Sequence, residues 1–278
     1  MGPGHGPRRE AGDATGLTER QWRLLLLIGQ HGDLNTRQVA ALMFNSRPTA
    51  ARDLRALVQT GLLVDYVFRR DSSHLAHFRI SPAGVELLTQ HLRATGQPIP
   101  IGLGERGRRD RDQLTANDIF VRLVAHGRST GRGHLYRWRH ALDTAVWLRA
   151  HGVHGSLVHG YGLWIEDGTA ISFVLHLDHG EPSPLAQTPP APPSKTLAAY
   201  ARATSGVPFD AALVVTSTVE REQQLRREVT EIPMPLAVAS TTYERLDHAP
   251  SPADAIWSVT AAPSPRLQLI EIARLPRD

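Results

Sequence analysis

The sequence predicts an α+β protein in two parts, and three observations point there. Residues 17–93 show helical periodicity three times, then two short β-prone runs around a polar turn, then a further helix. A stretch rich in glycine, proline and arginine follows, from Gln97 to Gln113. Beyond it, strand-like and helix-like runs alternate, the pattern of an α/β or α+β domain. The expected division is a disordered leader over 1–16, a first domain over 17–93, a linker over 94–113 and a second domain over 114–278.

The 278 residues are 41% hydrophobic, enough for two cores. Apolar runs such as Leu24 to Ile28 are far short of the ~20 residues of a membrane span, so no membrane partner is expected. Met1 to Thr15 is glycine, proline and charge without an apolar signal core, which reads as a cytoplasmic protein. The absence of cysteine excludes disulfides and thiolate metal sites. A net charge of +4 and a pI near 9.9 are modestly basic, a weak argument for nucleic acid by themselves. Lys195 stands alone among arginines, as a GC-rich coding bias would leave it.

Thr18 and Gln21 have capping-box spacing ahead of an apolar run, which predicts a helix over Glu19 to His31 with Trp22, Leu25 and Leu26 on one face. Gly32 ends it. Asn35 and Gln38 repeat the box before a short helix with Val39, Ala40, Leu42 and Met43 inward, closed by Phe44 and Asn45. Ser46 is placed to N-cap a third helix, and Pro48 suits its first turn. Ala50, Leu54, Leu57 and Val58 form its apolar face, opposite Thr49, Arg52, Arg55 and Gln59, and Gly61 stops it. Leu62 to Phe68 and Ala76 to Ile80 then read as a hairpin around Arg69-Arg70-Asp71-Ser72-Ser73. Ser81 and Pro82 open a last helix reaching about Leu92.

Three short helices, a basic hairpin and a closing helix make the winged helix-turn-helix plan. Its third helix fits the major groove of duplex DNA, where a bidentate arginine reads guanine. Arg52 and Arg55 are the candidates for base edges, with Thr49 beside them. Arg47, Arg69 and Arg70 suit phosphates. Two plainer readings stand beside this one: winged helices also serve as protein-interaction modules, and arginines on a helix face are often only solvated.

In the second part, Leu114 to Arg128 is predicted helical, with Ile119, Phe120, Leu123 and Val124 as its face. Leu135 to Arg139 suggests a strand, and Ala141 to Leu148 is ambiguous. Ser156 to Ile165 and Ala170 to Asp178 are stronger strands, joined by the turn signal Asp167-Gly168. Residues 181–194 carry six prolines and read as a mobile loop. A helix over Lys195 to Ala203, a buried strand over Ala211 to Thr216, a charged amphipathic helix over Val219 to Val229 and a strand over Leu236 to Ser240 follow. Trp257 and Leu267 to Ile272 are packing elements near the end.

Several pieces together resemble the replication-relaxation proteins of plasmids and mobile elements. In the first domain these are Leu17 to Gln21, Leu54 to Leu57, Gly61 to Leu63 and Ser81 to Gly84, all common to winged helices. More distinctive are Gly160-Tyr161-Gly162, the run Phe173 to Glu181, Lys195 and Tyr200. The resemblance implies a restriction-endonuclease-like second domain. Its family pattern is Pro-Asp-Gly-Tyr-Gly on one strand and Glu-x-Asp-x-Gly-Thr-Glu on the next, with Lys and Tyr on the following helix. Carboxylates so placed would hold Mg²⁺. This chain departs at the decisive places: Val158 replaces the proline, His159 stands where the aspartate belongs and His176 where the glutamate belongs. Asp178, Gly180, Glu181, Lys195 and Tyr200 remain.

Imidazole is a poor Mg²⁺ ligand and a good one for Zn, Mn or Fe. The degenerate core, His159, His176, Asp178 and Lys195, is therefore read first as catalytically silent, with no cofactor. The rival is a nuclease or nickase holding another divalent metal through His159, His176 and Asp178. A third reading makes His176 and Asp178 a structural pair on one strand face. There is no Gly-x4-Gly-Lys phosphate loop, so no nucleotide cofactor is expected. The expected whole is a double-stranded-DNA-binding homodimer acting in plasmid or mobile-element replication, DNA relaxation or transcription control. A protein-interaction module without DNA contact is the remaining alternative.

Overall fold

The computed structural model describes residues 16–44, 46–67, 75–104, 111–154, 158–178, 197, 200, 208–230, 234–259 and 265–275. The leader, the wing tip with Arg69 and Arg70, the proline-rich segment and Lys195 lie outside the described residues. The chain divides into two units, Met1–Arg108 and Arg109–Asp278.

In the first unit the capping boxes form as the spacing predicts. Helix α1 (Glu19–His31) starts where the Gln21 amide donates to Thr18 Oγ1 at 3.2 Å and the Thr18 amide donates to Gln21 Oε1 at 2.9 Å. It buries Trp22, Leu24, Leu25 and Ile28, while Leu26 is only half-buried. The helical repeat puts Leu24 and Ile28 one above the other beside Leu25 and turns Leu26 away, which corrects the predicted face. A two-residue strand, β1 (Leu34–Asn35), leads into α2 (Thr36–Met43), capped by Asn35 and Gln38. Helix α3 (Arg47–Gln59) follows a short turn. Strands β2 (Leu63–Val67) and β3 (Ala76–Ile80) pair antiparallel, and β1 adds to the other side of β3.

Helix α4 (Pro82–Ala94) closes the unit. The Ser81 hydroxyl accepts from the Gly84 amide at 3.0 Å and donates to the Gly61 carbonyl at 2.6 Å, so one side chain ties the end of the α3 turn to the start of α4. A Cβ on Gly84 would fall 2.2 Å from the Leu62 carbonyl oxygen, so only glycine permits this approach. Arg79 on β3 clamps Asp33 with two donors, one at 2.6 Å, and its guanidinium lies 5.4 Å from the centre of the Tyr66 ring.

The second unit is a sheet between two helical layers. Helix α5 (Arg111–Thr130) leads to β4 (His134–His140), α6 (Ala141–Ala150), β5 (Gly160–Glu166) and β6 (Thr169–Asp178). Then come β7 (Ala211–Thr216), α7 (Val219–Thr230), β8 (Ala237–Thr242), α8 (Tyr243–His248), β9 (Ser258–Val259) and α9 (Leu269–Ile272). The strand order is β4-β5-β6-β7-β8-β9; β6, β7 and β8 are parallel and the outer pairs antiparallel. Every residue of β7 is buried, as a strand covered on both faces requires. On one face Phe173, Leu175, Leu213 and Val215 pack with Ile119 and Phe120 of α5 and the C-terminal segment around Trp257. On the other, Val174, Ala212 and Val214 pack with Leu148 of α6, Leu197, Tyr200 and Leu225 of α7. The segment left ambiguous by sequence, Ala141 to Leu148, is thus a helix. Its alternation is blurred because it lies on the sheet with one buried apolar row only.

The C-terminal segment is fastened by charge. Glu222, fully buried on α7, accepts from both Arg266 nitrogens at 3.0 and 3.1 Å, from Arg245 at 3.3 Å and from the Ser240 hydroxyl at 3.1 Å. Burial pushes the Glu222 carboxyl up, but the hydrogen bond and charge of Arg266, the charge of Arg245 and the Ser240 hydroxyl outweigh it and hold the group below its ordinary value. A depressed folded pKa contributes stability above the unfolded value of about 4.3, lost as pH falls through the folded pKa. Glu222→Gln should cost about 3 kcal/mol at neutral pH by leaving two arginines without their buried counter-charge. Urea titrations at pH 7 and pH 3 should show the gap between wild type and variant shrinking in acid.

Candidate nucleic-acid interface and nuclease-like core

Helix α3 is held by one side and free on the other. Ala50, Leu54 and Leu57 are fully buried, while Arg47, Arg52, Arg55 and Gln59 are exposed. Val58, expected inward, is half-buried, because it lines a shallow groove of about 340 Å³ with Thr36, Arg55, Gln59, Asp65 and Phe78. Between the arginines sits Asp53, 5% exposed, which accepts from Arg20 Nε of α1 at 2.6 Å. Arg20 also lies 5.9 Å from the centre of the Phe44 ring. An ion pair at the helix root therefore fixes the rotation of α3. Arg52 Nε lies 3.6 Å from the same carboxylate but keeps 69% of its side chain exposed.

Two predicted details differ. Ser46 occupies the N-cap position but makes no side-chain cap; its hydroxyl pairs with Thr49 Oγ1 at 2.8 Å instead. Thr49 is consequently half-buried and engaged rather than displayed. The first turn of α3 carries no acidic residue, leaving its positive end unopposed beside Arg47. Arg37, exposed in the first turn of α2, is a further cation that the helix-face argument missed; its place after the Asn35 cap was the available signal. Arg69 and Arg70 lie outside the described residues.

Three of the four core candidates of the second unit, His159, His176 and Asp178, are among the described residues. His159 precedes β5, and its amide donates to the Leu175 carbonyl at 2.8 Å. Its Nδ1 then accepts from the Leu177 amide at 3.1 Å, replacing the next rung of the β5–β6 ladder. That places the ring proton on Nε2, which faces Asp112 of α5 at 3.5 Å. His176 and Asp178, two residues apart on β6, share the opposite layer. His176 Nε2 lies 3.0 Å from the Tyr200 hydroxyl, whose ring stacks edge-on against Phe209 at 5.1 Å between centroids. Asp178 accepts from Arg221 Nε of α7 at 2.6 Å. His176 thus meets Tyr200 and Asp178 meets Arg221.

Among the described residues no group of three or more His, Asp or Glu side chains is placed to hold a metal ion. His159, His176 and Asp178 fail as a set because His159 uses Nδ1 on backbone and aims Nε2 toward α5, while the other two face α7 and Tyr200. Lys195 and Glu181 lie outside the described residues. Arg221 was invisible to sequence reasoning: it stands 43 positions from Asp178 and reaches it only because the parallel pairing of β6 and β7 brings the start of α7 to the end of β6.

The replication-relaxation family model matches residues 25–179, more than half of the 278. The chain belongs to this family. The matched span runs from α1 through β6, so it takes in both the winged helix and the first strands of the six-stranded sheet. No curated protein matches the chain. Among solved structures it is similar to MepR, a transcription regulator of the Staphylococcus aureus multidrug efflux pump MepA. That likeness has 21% identity over 37% of this chain and 76% of MepR, with a TM-score of 0.26. A mutant S. aureus MepR bound to an oligodeoxyribonucleotide is similar at 22% identity over 36% of this chain and 74% of that one, also with a TM-score of 0.26. Neither score bears on function.

Within this family member the Asp178–Arg221 pair has a measurable structural role. Arg221→Ala should leave a buried carboxylate unpaired and cost about 3 kcal/mol, read as a lower urea midpoint at pH 7. The double variant Arg221→Leu with Asp178→Leu should recover most of that loss, because apolar replacement removes both desolvated charges.

Proposed function

We propose that the protein binds double-stranded DNA, with α3 in the major groove. The carrying observation is the division of α3 itself: Ala50, Asp53, Leu54 and Leu57 are buried, while Arg47, Arg52, Arg55 and Gln59 stand free on the outer side. Arg52 and Arg55 meet base edges, Arg47 and the uncapped start of the helix meet phosphate, and Arg37 extends the phosphate contacts. The wing residues Arg69 and Arg70 take the adjoining backbone. Paired half-sites read by a homodimer supply the affinity one short helix lacks.

The second unit serves as a catalytically silent platform in this reading. Support comes from the engagement of the two altered core side chains and of the retained aspartate: His159 on the Leu177 amide, His176 on Tyr200 and Asp178 on Arg221. Membership of the family favours a cytoplasmic role in plasmid or mobile-element replication, DNA relaxation or local transcription control. Selection of bound genomic fragments separates these, since a site beside an origin and a site beside a promoter are distinct outcomes.

Arg52→Ala with Arg55→Ala should weaken duplex binding at least about tenfold, at about 1–3 kcal/mol per lost base contact, and leave the urea midpoint unchanged. Fluorescence anisotropy at two salt concentrations reads this, because Arg47→Ala should lower the salt slope by about one. Full affinity in the double arginine variant would remove α3 as the reading element. Supercoiled plasmid incubated with the protein and Mg²⁺, Mn²⁺ or Zn²⁺ should stay intact. Nicking that disappears in Asp178→Ala would overturn the silent core.

A further inference from the structure

The outer edge of the second unit carries a cluster that the duplex reading does not use. Residues 128–140 contain Arg128, Arg132, Arg137, Arg139, His134 and His140 and no Asp or Glu. They end α5 and form β4, the edge strand of the six-stranded sheet. The pairing of β4 with β5 slips between Leu135 and Arg137, so Tyr136 is an extra residue without a partner of its own. The slip has a side-chain consequence. Leu135 and Trp138 both pack against the same core, which strict alternation would forbid, and the two residues between them are freed. Tyr136 is 64% exposed, Arg137 is exposed, and His134 meets Tyr136 edge-on at 6.4 Å between ring centroids.

The neighbouring cations divide into held and available. Arg139 is spent on Asp143 at 2.9 Å and lies 5.5 Å from the Trp147 ring centre. Arg132 reaches buried Glu166 at 2.8 Å yet keeps 57% of its side chain exposed. Arg137 makes no ion pair among the described residues. The exposed aromatic ring is therefore met by His134 and followed directly in the chain by the exposed Arg137, while Arg132 is drawn to Glu166.

We propose that this bulged edge binds an unpaired stretch of nucleic acid, with Tyr136 stacking on a base and Arg137 on the adjoining phosphate. An exposed ring beside a cation suits single strands, because a duplex hides its base faces and offers such a ring nothing to stack on. A second copy of the chain is disfavoured as occupant: a bulge and a row of like charges block strand pairing at an edge. An acidic protein would be satisfied by the arginines but would not require the ring. The inference adds to the duplex reading a second surface on the other unit, one that contacts strands once they are separated.

The full-length protein is titrated by anisotropy with labelled oligo-dT and oligo-U of roughly 25 nucleotides, long enough for one site, and with a duplex. Wild type binds at least one single strand at low salt. Tyr136→Ala with Arg137→Ala weakens it at least tenfold, Tyr136→Phe stays within twofold, and Arg52→Ala with Arg55→Ala leaves it unchanged while weakening the duplex. Preference for oligo-dT or oligo-U tells DNA from RNA as the source. Absence of single-strand binding by wild type, unchanged binding in the Tyr136→Ala/Arg137→Ala variant, or equal loss in Tyr136→Phe and Tyr136→Ala overturns the proposal. Failure of the wild type to bind the duplex, with single-strand binding intact, would fault only the α3 reading. Circular dichroism and the urea midpoint confirm that the exposed substitutions leave the fold intact.

Discussion

The contact between Asp53 and Arg20 is the constraint on which the DNA-binding reading turns. A helix can offer a row of arginines to a groove only if something fixes its rotation, and apolar packing alone permits a range of rolls. Here a carboxylate set among Ala50, Leu54 and Leu57 is drawn to a guanidinium on α1, which is itself backed by Phe44. The acidic residue within an otherwise basic helix thus serves orientation and does not cancel the recognition charge. Arg79 and Asp33 act in the same way at the root of the wing, where Asp33 draws the Arg79 guanidinium above its ordinary pKa against the desolvation of burial.

The second unit engages its buried polar groups within its own fold. Two parallel pairings bury β7 on both faces, and the loop-side end of β6 still collects polar groups. What has changed is the partner of each group. His159 ends a strand ladder, His176 satisfies a buried tyrosine and Asp178 is neutralised by an arginine across a parallel crossover. Carboxylates at the first two positions would have needed a cation; imidazoles accept neutral partners and need none.

The two proposed nucleic-acid surfaces differ in construction, and the difference follows from secondary structure. A helix displays cations in a rigid row matched to a duplex groove. A bulged edge strand displays a ring and a neighbouring cation together, freed by the slip in register. Such a surface suits a flexible strand that bends to meet it.

The sequence by itself determined whatever depends on neighbours along the chain. The capping boxes at Thr18 and Asn35, the glycine stops at Gly32 and Gly61, the Asp167-Gly168 turn and the uniformly apolar strand Ala211–Thr216 all stand where residue type and spacing put them. These are local effects, settled within a few residues. Tertiary structure decided which polar group meets which. Nothing near Asp53 in sequence names Arg20, nothing near Asp178 names Arg221, and nothing near Tyr136 announces a slipped register. Those pairings depend on the packing of distant elements, and electrostatic and hydrogen-bond partners are chosen by distance in space, which the order of residues leaves open.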